Sequence, residues 1–265
     1  MNGLERAFAR MGARVEFGQL LRGKWFSSRL LSEDLALDVR RDRFGEYFLI
    51  SRAPASTTEL VVLDVQPNDR HLLLLSRGGR EKHRFLLGHD ERHWFVAAIP
   101  ETAPVSRVRD AKEALKPGLV QSGEHGLRAK YRHRRSNAAR IRQGEWFFIP
   151  MPEARVEKLL IWRNEPIARG GGKPHVCEEL YRFGGETVYV SGGAPNGLTE
   201  EQYRVLSHGE RSRWTWRVMR RNPKVYVRGR VRHPDHQTVV LDGWHEVLSN
   251  TENLSHAMRN VAFLD

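Results

Sequence analysis

The stretch "RHPDHQTVVLDGWH" sets His233 and His236 on either side of a Pro-Asp pair, a dipeptide that favours a tight turn. With a two-residue hairpin loop, the two imidazoles would face each other across paired strands. Neutral imidazoles so placed are half of a Zn²⁺ site, and His245 or a carboxylate is the expected third ligand. No Cys pair accompanies them, so no standard zinc signature is met. A second group, "GHDERHW", places His89 and His93 around an expected hairpin tip carrying Asp90 and Glu91. Polar residues shaping a turn are the plain alternative for both groups.

Other chemistry is weaker. His125, Tyr131 and His133 lie in or beside "RAKYRHRRSNAARIR", and Glu145 follows soon after. A base, an acid and cations for a pentavalent phosphate are what a metal-independent ribonuclease needs, which makes these four the catalytic candidates. Cys177 stands beside Glu178 and Glu179, whose charges raise a thiol pKa and argue against a reactive thiolate. "IARGGGKPH" is Gly-rich but lacks the Walker spacing, so it reads as a turn. As a functional loop it would offer bare amides and Lys173 to a phosphate.

Charge points more firmly to a partner. The chain carries a formal net charge of +12. Residues 128–142 hold seven Arg or Lys and residues 211–232 hold nine, and neither window contains an acid. The other 28 cations face all 32 carboxylates, so the rest of the protein is close to balanced. A localised basic footprint fits a polyanion. The expected contacts are Arg128, Lys130, Arg132, Arg134 and Arg135 in the first block. In the second they are Arg213, Trp214, Trp216, Arg217, Arg228, Arg230 and Arg232. After Pro223 the chain alternates, with Val225, Val227 and Val231 on one face and Arg228, Arg230 and Arg232 on the other. Three Arg at period two repel unless solvent or an anion screens them, and the interleaved aromatics offer stacking platforms.

The elements that must position these residues are mostly strands. "LALDVRR", "EYFLISR", "ELVVLDVQ", "HLLLLSR", "KHRFLLG" and "HWFVAAI" are short β-type runs separated by turn signals, which predicts an antiparallel meander with hairpins at "PNDR" and "RGGR". "SRVRDAKEALKPG" reads as a helix with Ser106 as N-cap, and it marks a seam between halves 1–120 and 121–265, which one continuous domain would also accommodate. "LTEEQYRVLSHGERSRW" reads as one helix opened by a Thr199/Gln202 capping box, and "ENLSHAMRNVAF" as a closing helix. The predicted class is α+β, mainly β, with predominantly antiparallel sheets and three or four short helices.

A nucleic-acid-binding protein is the first functional expectation, with RNA or single strands favoured. A nuclease-type phosphodiester hydrolase using the His and carboxylate groups, with or without a divalent metal, is the second. A β-rich module docking an acidic protein is the third. No small-molecule cofactor is indicated, and a divalent ion such as Zn²⁺ is the one cofactor the histidines raise. No apolar run approaches the length of about 20 residues that a membrane span needs. A single Cys and the lack of a secretory-type apolar stretch at the start give a cytoplasmic expectation.

Overall fold

The structure is a computed structural model, and it describes residues 2–20, 34–78, 81–169 and 173–255. A short helix, α1 (Gly3–Arg10), opens on a capping box between Asn2 and Glu5. The strands β1 (Val15–Gln19), β2 (Leu35–Asp42) and β3 (Gly45–Arg52) form a sheet of order β1-β3-β2, in which β1 runs parallel to β3. The expected meander follows as β4 (Glu59–Gln66), β5 (His71–Gly78), β6 (Glu81–Asp90) and β7 (His93–Ile99). Its central strand is buried on both faces, which is why "HLLLL" lacks alternation. Leu72 and Leu74 join Phe8, Phe48, Phe85 and Trp94 in one core, while Leu73 joins Leu86 and Ile99 in another.

Three helices cover the transition: α2 (Val108–Ala114), α3 (Gly118–Gly123) and α4 (Ala129–Arg132). The N-cap of α2 is Arg107 rather than Ser106, and the first amide, Val108 N, donates instead to Asp64 Oδ2 at 2.9 Å. A tertiary carboxylate has taken the place of the local cap.

The second half opens with β8 (Ser136–Asn137), β9 (Arg140–Gln143), β10 (Trp146–Pro150), β11 (Trp162–Ile167) and β12 (His175–Phe183). A small sheet then interrupts, with β13 (Glu186–Ser191), β14 (Ala194–Thr199), two helices, α5 (Glu200–Arg204) and α6 (His208–Ser212), and β15 (Arg217–Arg221). Its strand order is β14-β13-β15. The chain returns through β16 (Lys224–Arg232) and β17 (Val239–Ser249) to complete a seven-stranded sheet of order β11-β12-β16-β17-β10-β9-β8.

The class is α+β and mainly β, and every strand pair but β1–β3 is antiparallel among the described residues. Six short α-helices are described, against three or four expected. One reason is that the single helix expected after Thr199 is two, because Ser207 and Glu210 form a second capping box that starts a new helix. The closing helix lies largely outside the described residues, which there show a 3-10 turn at Thr251–Leu254. No helix is long and apolar enough to cross a membrane among the described residues.

No described strand before residue 100 pairs with one after it. Helix α2 packs across that line, with Val108, Ala111 and Leu115 in one core with Leu73, Leu86 and Ile99, and polar contacts join the sheets beyond it. Asp90 meets Arg135 and, at 3.2 Å, Arg142. Gln237 N donates to Glu91 Oε2 at 2.5 Å, and His93 Nε2 lies 3.7 Å from Asp235 Oδ1.

Candidate metal centre

Sheet pairing brings together three histidines that are far apart in the chain. His175 opens β12, whose next residue, Val176, pairs with Arg232 at the end of β16. His233 directly follows β16, and His236 lies in the loop 233–238 before β17. The loop therefore has six residues, and the two-residue hairpin expected from Pro-Asp does not form. The bracketing imidazoles converge all the same. Ring centroids are 4.1 Å apart for His175 and His233, 4.6 Å for His233 and His236, and 5.6 Å for His175 and His236. One ligand nitrogen from each lies within 4.8 Å of the others. All three residues are buried, His175 to 1% exposure.

Both ring nitrogens of His175 and of His236 are buried without a hydrogen-bond partner among the described residues. A buried polar group left unmet costs about 1–3 kcal/mol, so four such atoms in one place need a reason. His233 is better provided for: Nδ1 accepts from Asp235 N at 3.1 Å, and Nε2 stands 3.3 Å from Lys173 O. Burial holds all three imidazoles below their ordinary pKa, with His175 at about 3 and His236 at about 4. The like charge that each would carry adds to the lowering at His175. They are thus neutral at pH 7, the form that ligates a metal.

The donor set fits a Zn²⁺-class ion. Tetrahedral coordination at about 2.0–2.1 Å would draw the three nitrogens to roughly 3.4 Å apart, a small closing of rings already gathered. Three protein ligands leave a fourth position open, the pattern of hydrolytic rather than structural zinc.

Gly144 adjoins the cluster. It sits at φ +57° in the turn between β9 and β10, and a Cβ there would come within 2.7 Å of His236 Nε2 and 3.5 Å of His175 Nε2. The same glycine lines a cavity of about 190 Å³ between β5–β7 and β9–β10. That cavity is also lined by His71, His133, Arg142, Glu145, Arg169 and Glu252. Burial raises the Glu252 carboxyl against the opposing pull of Arg169, and it holds His71 at about 4.

The loop is tied down from the other half of the molecule. Glu46 on β3 accepts from Trp94 N at 3.0 Å and meets His93 Nδ1 at 2.5 Å. His93 Nε2 then lies 3.7 Å from Asp235 Oδ1, and Lys173 Nζ is 2.6 Å from Asp235 Oδ2. His93 belongs to the tip foreseen in "GHDERHW", where Asp90 pairs with His93 across the turn Glu91–Arg92. His89 instead sets its ring edge-on to Trp94 at 4.9 Å.

His245 is not part of the centre. It faces Val227 from β17, and its Nδ1 stands 2.8 Å from Gly243 O. Spacing favoured it over His175, because only the pairing of β12 with β16 shows that His175 is near. Of the four catalytic candidates, His133 and Glu145 line the cavity, and His125 and Tyr131 do not. His125 is exposed, and the Tyr131 ring carries Lys130 at 5.0 Å and Arg134 at 4.8 Å. Burial, with Glu165 nearby, pushes the Cys177 thiol up to about 12, so the unreactive thiol is as expected but owes its rise to burial rather than to Glu178 and Glu179. Gly170–Gly172 of the Gly-rich stretch lie outside the described residues.

The basic blocks are partly neutralised by acids distant in sequence. Arg135 and Arg142 meet Asp90, and Arg140 is buried against Glu124. Arg221 meets Glu186, Lys224 lies 3.7 Å from Glu246, Arg228 meets Glu179 and Arg230 meets Glu178. Arg232 donates to Asn164 at 2.8 Å. Val227 and Val231 are buried as expected, but a bulge at Gly229, φ +81°, interrupts the predicted alternation, and Arg228 and Arg230 are screened by β12 carboxylates. Arg128, Lys130, Arg132 and Arg134 have no carboxylate partner among the described residues, although Arg132 donates to the carbonyls of Leu127 and His125.

Comparison with known proteins returns no match to any protein family, curated protein or solved structure.

Proposed function

We propose that the protein is a metal-dependent phosphodiester hydrolase acting on nucleic acid, with His175, His233 and His236 as the metal ligands. One observation carries this reading: three buried, neutral imidazoles converge with four ring nitrogens unmet. A divalent ion bound there would supply a water of lowered pKa and polarise a phosphoryl oxygen. The chain's own groups then have separate tasks. Gly144 leaves room between the ligands and the cavity. Arg142 and Arg169 on the cavity wall are paired with Asp90 and Glu252. With Lys112, Lys116, Arg135 and Arg140 the wall still carries more cations than carboxylates and favours an anionic substrate, and Glu145 on the same wall is placed to hold a proton. Glu46, His93 and Asp235 steady the ligand loop.

The test is metal analysis of the purified protein followed by cleavage of RNA and DNA with and without a chelator. About one equivalent of ion per chain is expected, with cleavage lost on chelation and restored by Zn²⁺ or Mn²⁺. Replacing His175 or His236 with Ala should abolish both. A wild-type protein that takes up no transition metal sinks the reading.

A nucleic-acid binder without catalysis is the second reading. It is favoured by the cations of residues 128–142 and 211–232 that have no carboxylate partner among the described residues. Metal uptake without cleavage, together with tight nucleic-acid binding, would select it.

A further inference from the structure

The cations of the second basic block differ in how the fold treats them. Arg221, Lys224, Arg228 and Arg230 each have a carboxylate within 4 Å. Arg213, Arg217 and Arg220 have none among the described residues; the one bond of the Arg220 guanidinium runs to Gly185 O at 3.3 Å. All three are exposed. They lie on or just before β15, an edge strand of the small sheet, where strand alternation sets Arg217 and Arg220 on opposite faces.

Two tryptophans share this segment and have opposite roles. Trp216 is a brace. Its indole N–H donates to Arg211 O at 2.9 Å, and its ring meets Tyr203 edge-on at 5.1 Å. Tyr203 in turn stacks on Tyr189 of β13 at 4.0 Å. Trp214 is seated and yet open. A Cβ on Gly192 or Gly193 would come within 3.0 or 2.8 Å of its ring, so the two glycines between β13 and β14 make the seat. The indole still leaves Trp214 43% exposed, with the Arg213 guanidinium 5.9 Å from its ring centroid. Val218 and Met219 on β15 are exposed too.

We infer that Trp214 and Arg213, with Arg217 and Arg220 flanking the exposed β15 edge from its two faces, form a docking surface for single-stranded nucleic acid, separate from the proposed metal centre. An aromatic ring held with one side open stacks any base, and unneutralised guanidiniums beside it hold phosphates. The nearby acids are largely engaged: Glu186 with Arg221, Glu200 with Arg204, and Glu210 with Ser207, which leaves Glu201. A single strand suits the site better than a duplex. The neighbouring helices α5 and α6 are five residues each, too short to read a groove, whereas an edge strand and one indole match an extended backbone with splayed bases. The inference rests on the nucleic-acid substrate of the proposed function and assigns where that substrate docks.

The experiment is fluorescence anisotropy of a labelled oligo-uridine, carried out with a chelator so that cleavage cannot intervene. A duplex of equal length and a polyglutamate peptide are the competitors. Oligo-uridine should bind more tightly than either. The folded variant R213S/R217S/R220S should flatten the slope of log K against log salt by about 2, from about 0.7 per phosphate. R6S/R10S/R155S, which removes equal charge elsewhere, should leave the slope unchanged. Trp214→Ala should weaken binding about tenfold at constant slope, and Trp214→Phe should recover most of it. An unchanged slope in the folded triple variant overturns the inference, and so does wild-type preference for the duplex or for polyglutamate. Metal affinity of the same proteins, measured separately, should not change. A failed docking surface with metal retained leaves the hydrolase reading standing, and wild-type protein that binds oligo-uridine but no metal overturns only the hydrolase.

Discussion

At the scale of single residues, Gly144 decides whether three histidines can stay close. Its φ of +57° already favours glycine, and a Cβ would press on His236 Nε2. Gly144→Ala should therefore cost about 1–2 kcal/mol from backbone strain alone and should weaken metal binding as well. Urea denaturation and a competitive metal titration would check the two effects, and a variant with wild-type metal affinity would show that Gly144 does not shape the site. His71 gives a pH prediction at the same scale. Burial, with Lys112 nearby, lowers it from 6.5 to about 4. Between these values the unfolded chain binds more protons than the native state. The contribution of neutral His71 is complete above about pH 6.5 and is lost as pH falls toward 4. At about 1.4 kcal/mol per pKa unit, its upper bound is roughly 3 kcal/mol. The urea midpoint of metal-free protein should fall through that window, and less so in His71→Gln. The sequence marked His233 and His236 by their bracketing of Pro-Asp. It could not mark His175, because nothing in "KPHVC" says which strand lies beside it.

At the scale of elements, the first basic block is held by a buried ion cluster. Glu124, 1% exposed at the end of α3, meets Lys116 at 2.5 Å and Arg140 at 2.9 Å. Arg140 then donates to the carbonyls of Arg132, Arg134 and Arg135, so the block folds its backbone around one guanidinium. Burial pushes the Glu124 carboxyl up, but Lys116, Asn137 and Arg140 together leave it below its usual value. Glu124→Gln leaves buried Arg140 without its anion and Lys116 with Glu113 alone, and should destabilise by about 3–5 kcal/mol. A urea midpoint close to wild type would show that the cluster contributes little. Composition could not reveal this arrangement. An acid-free window of sequence is not an acid-free region of space, and Glu124, Asp90 and the β12 carboxylates reach the blocks through pairing and packing. Strand identity was legible, because alternation and turn residues are local signals. Loop length after β16 was not, since Pro-Asp supports several turn geometries and here Gln143 Nε2 donates to Gln237 O at 2.7 Å within a longer loop.

At the scale of the whole molecule, the loop 233–238, which carries two of the proposed metal ligands, is gripped from the other side of the seam. Glu91 accepts from Gln237 N, Asp90 meets Arg135 and Arg142, and the Glu46–His93 pair faces Asp235. Two sheets from the first half therefore support ligands carried by the third, and the cavity opens along the same line. Groups that hold metal ligands in place are worth about 10–100-fold in metal affinity. His93→Gln removes the link between Glu46 and Asp235 without touching a ligand. It should lower affinity by about tenfold, and Asp235→Asn should do the same. Hydrogen exchange separates this from general unfolding. Exchange should quicken at 233–238 and at the β6–β7 tip in His93→Gln, while β5, β12 and β16 keep their protection, because their bonds lie within sheets and their side chains within separate cores. Uniformly faster exchange would mean that His93 only stabilises the fold. Unchanged exchange and unchanged affinity would mean that the ligands are held by the seven-stranded sheet alone.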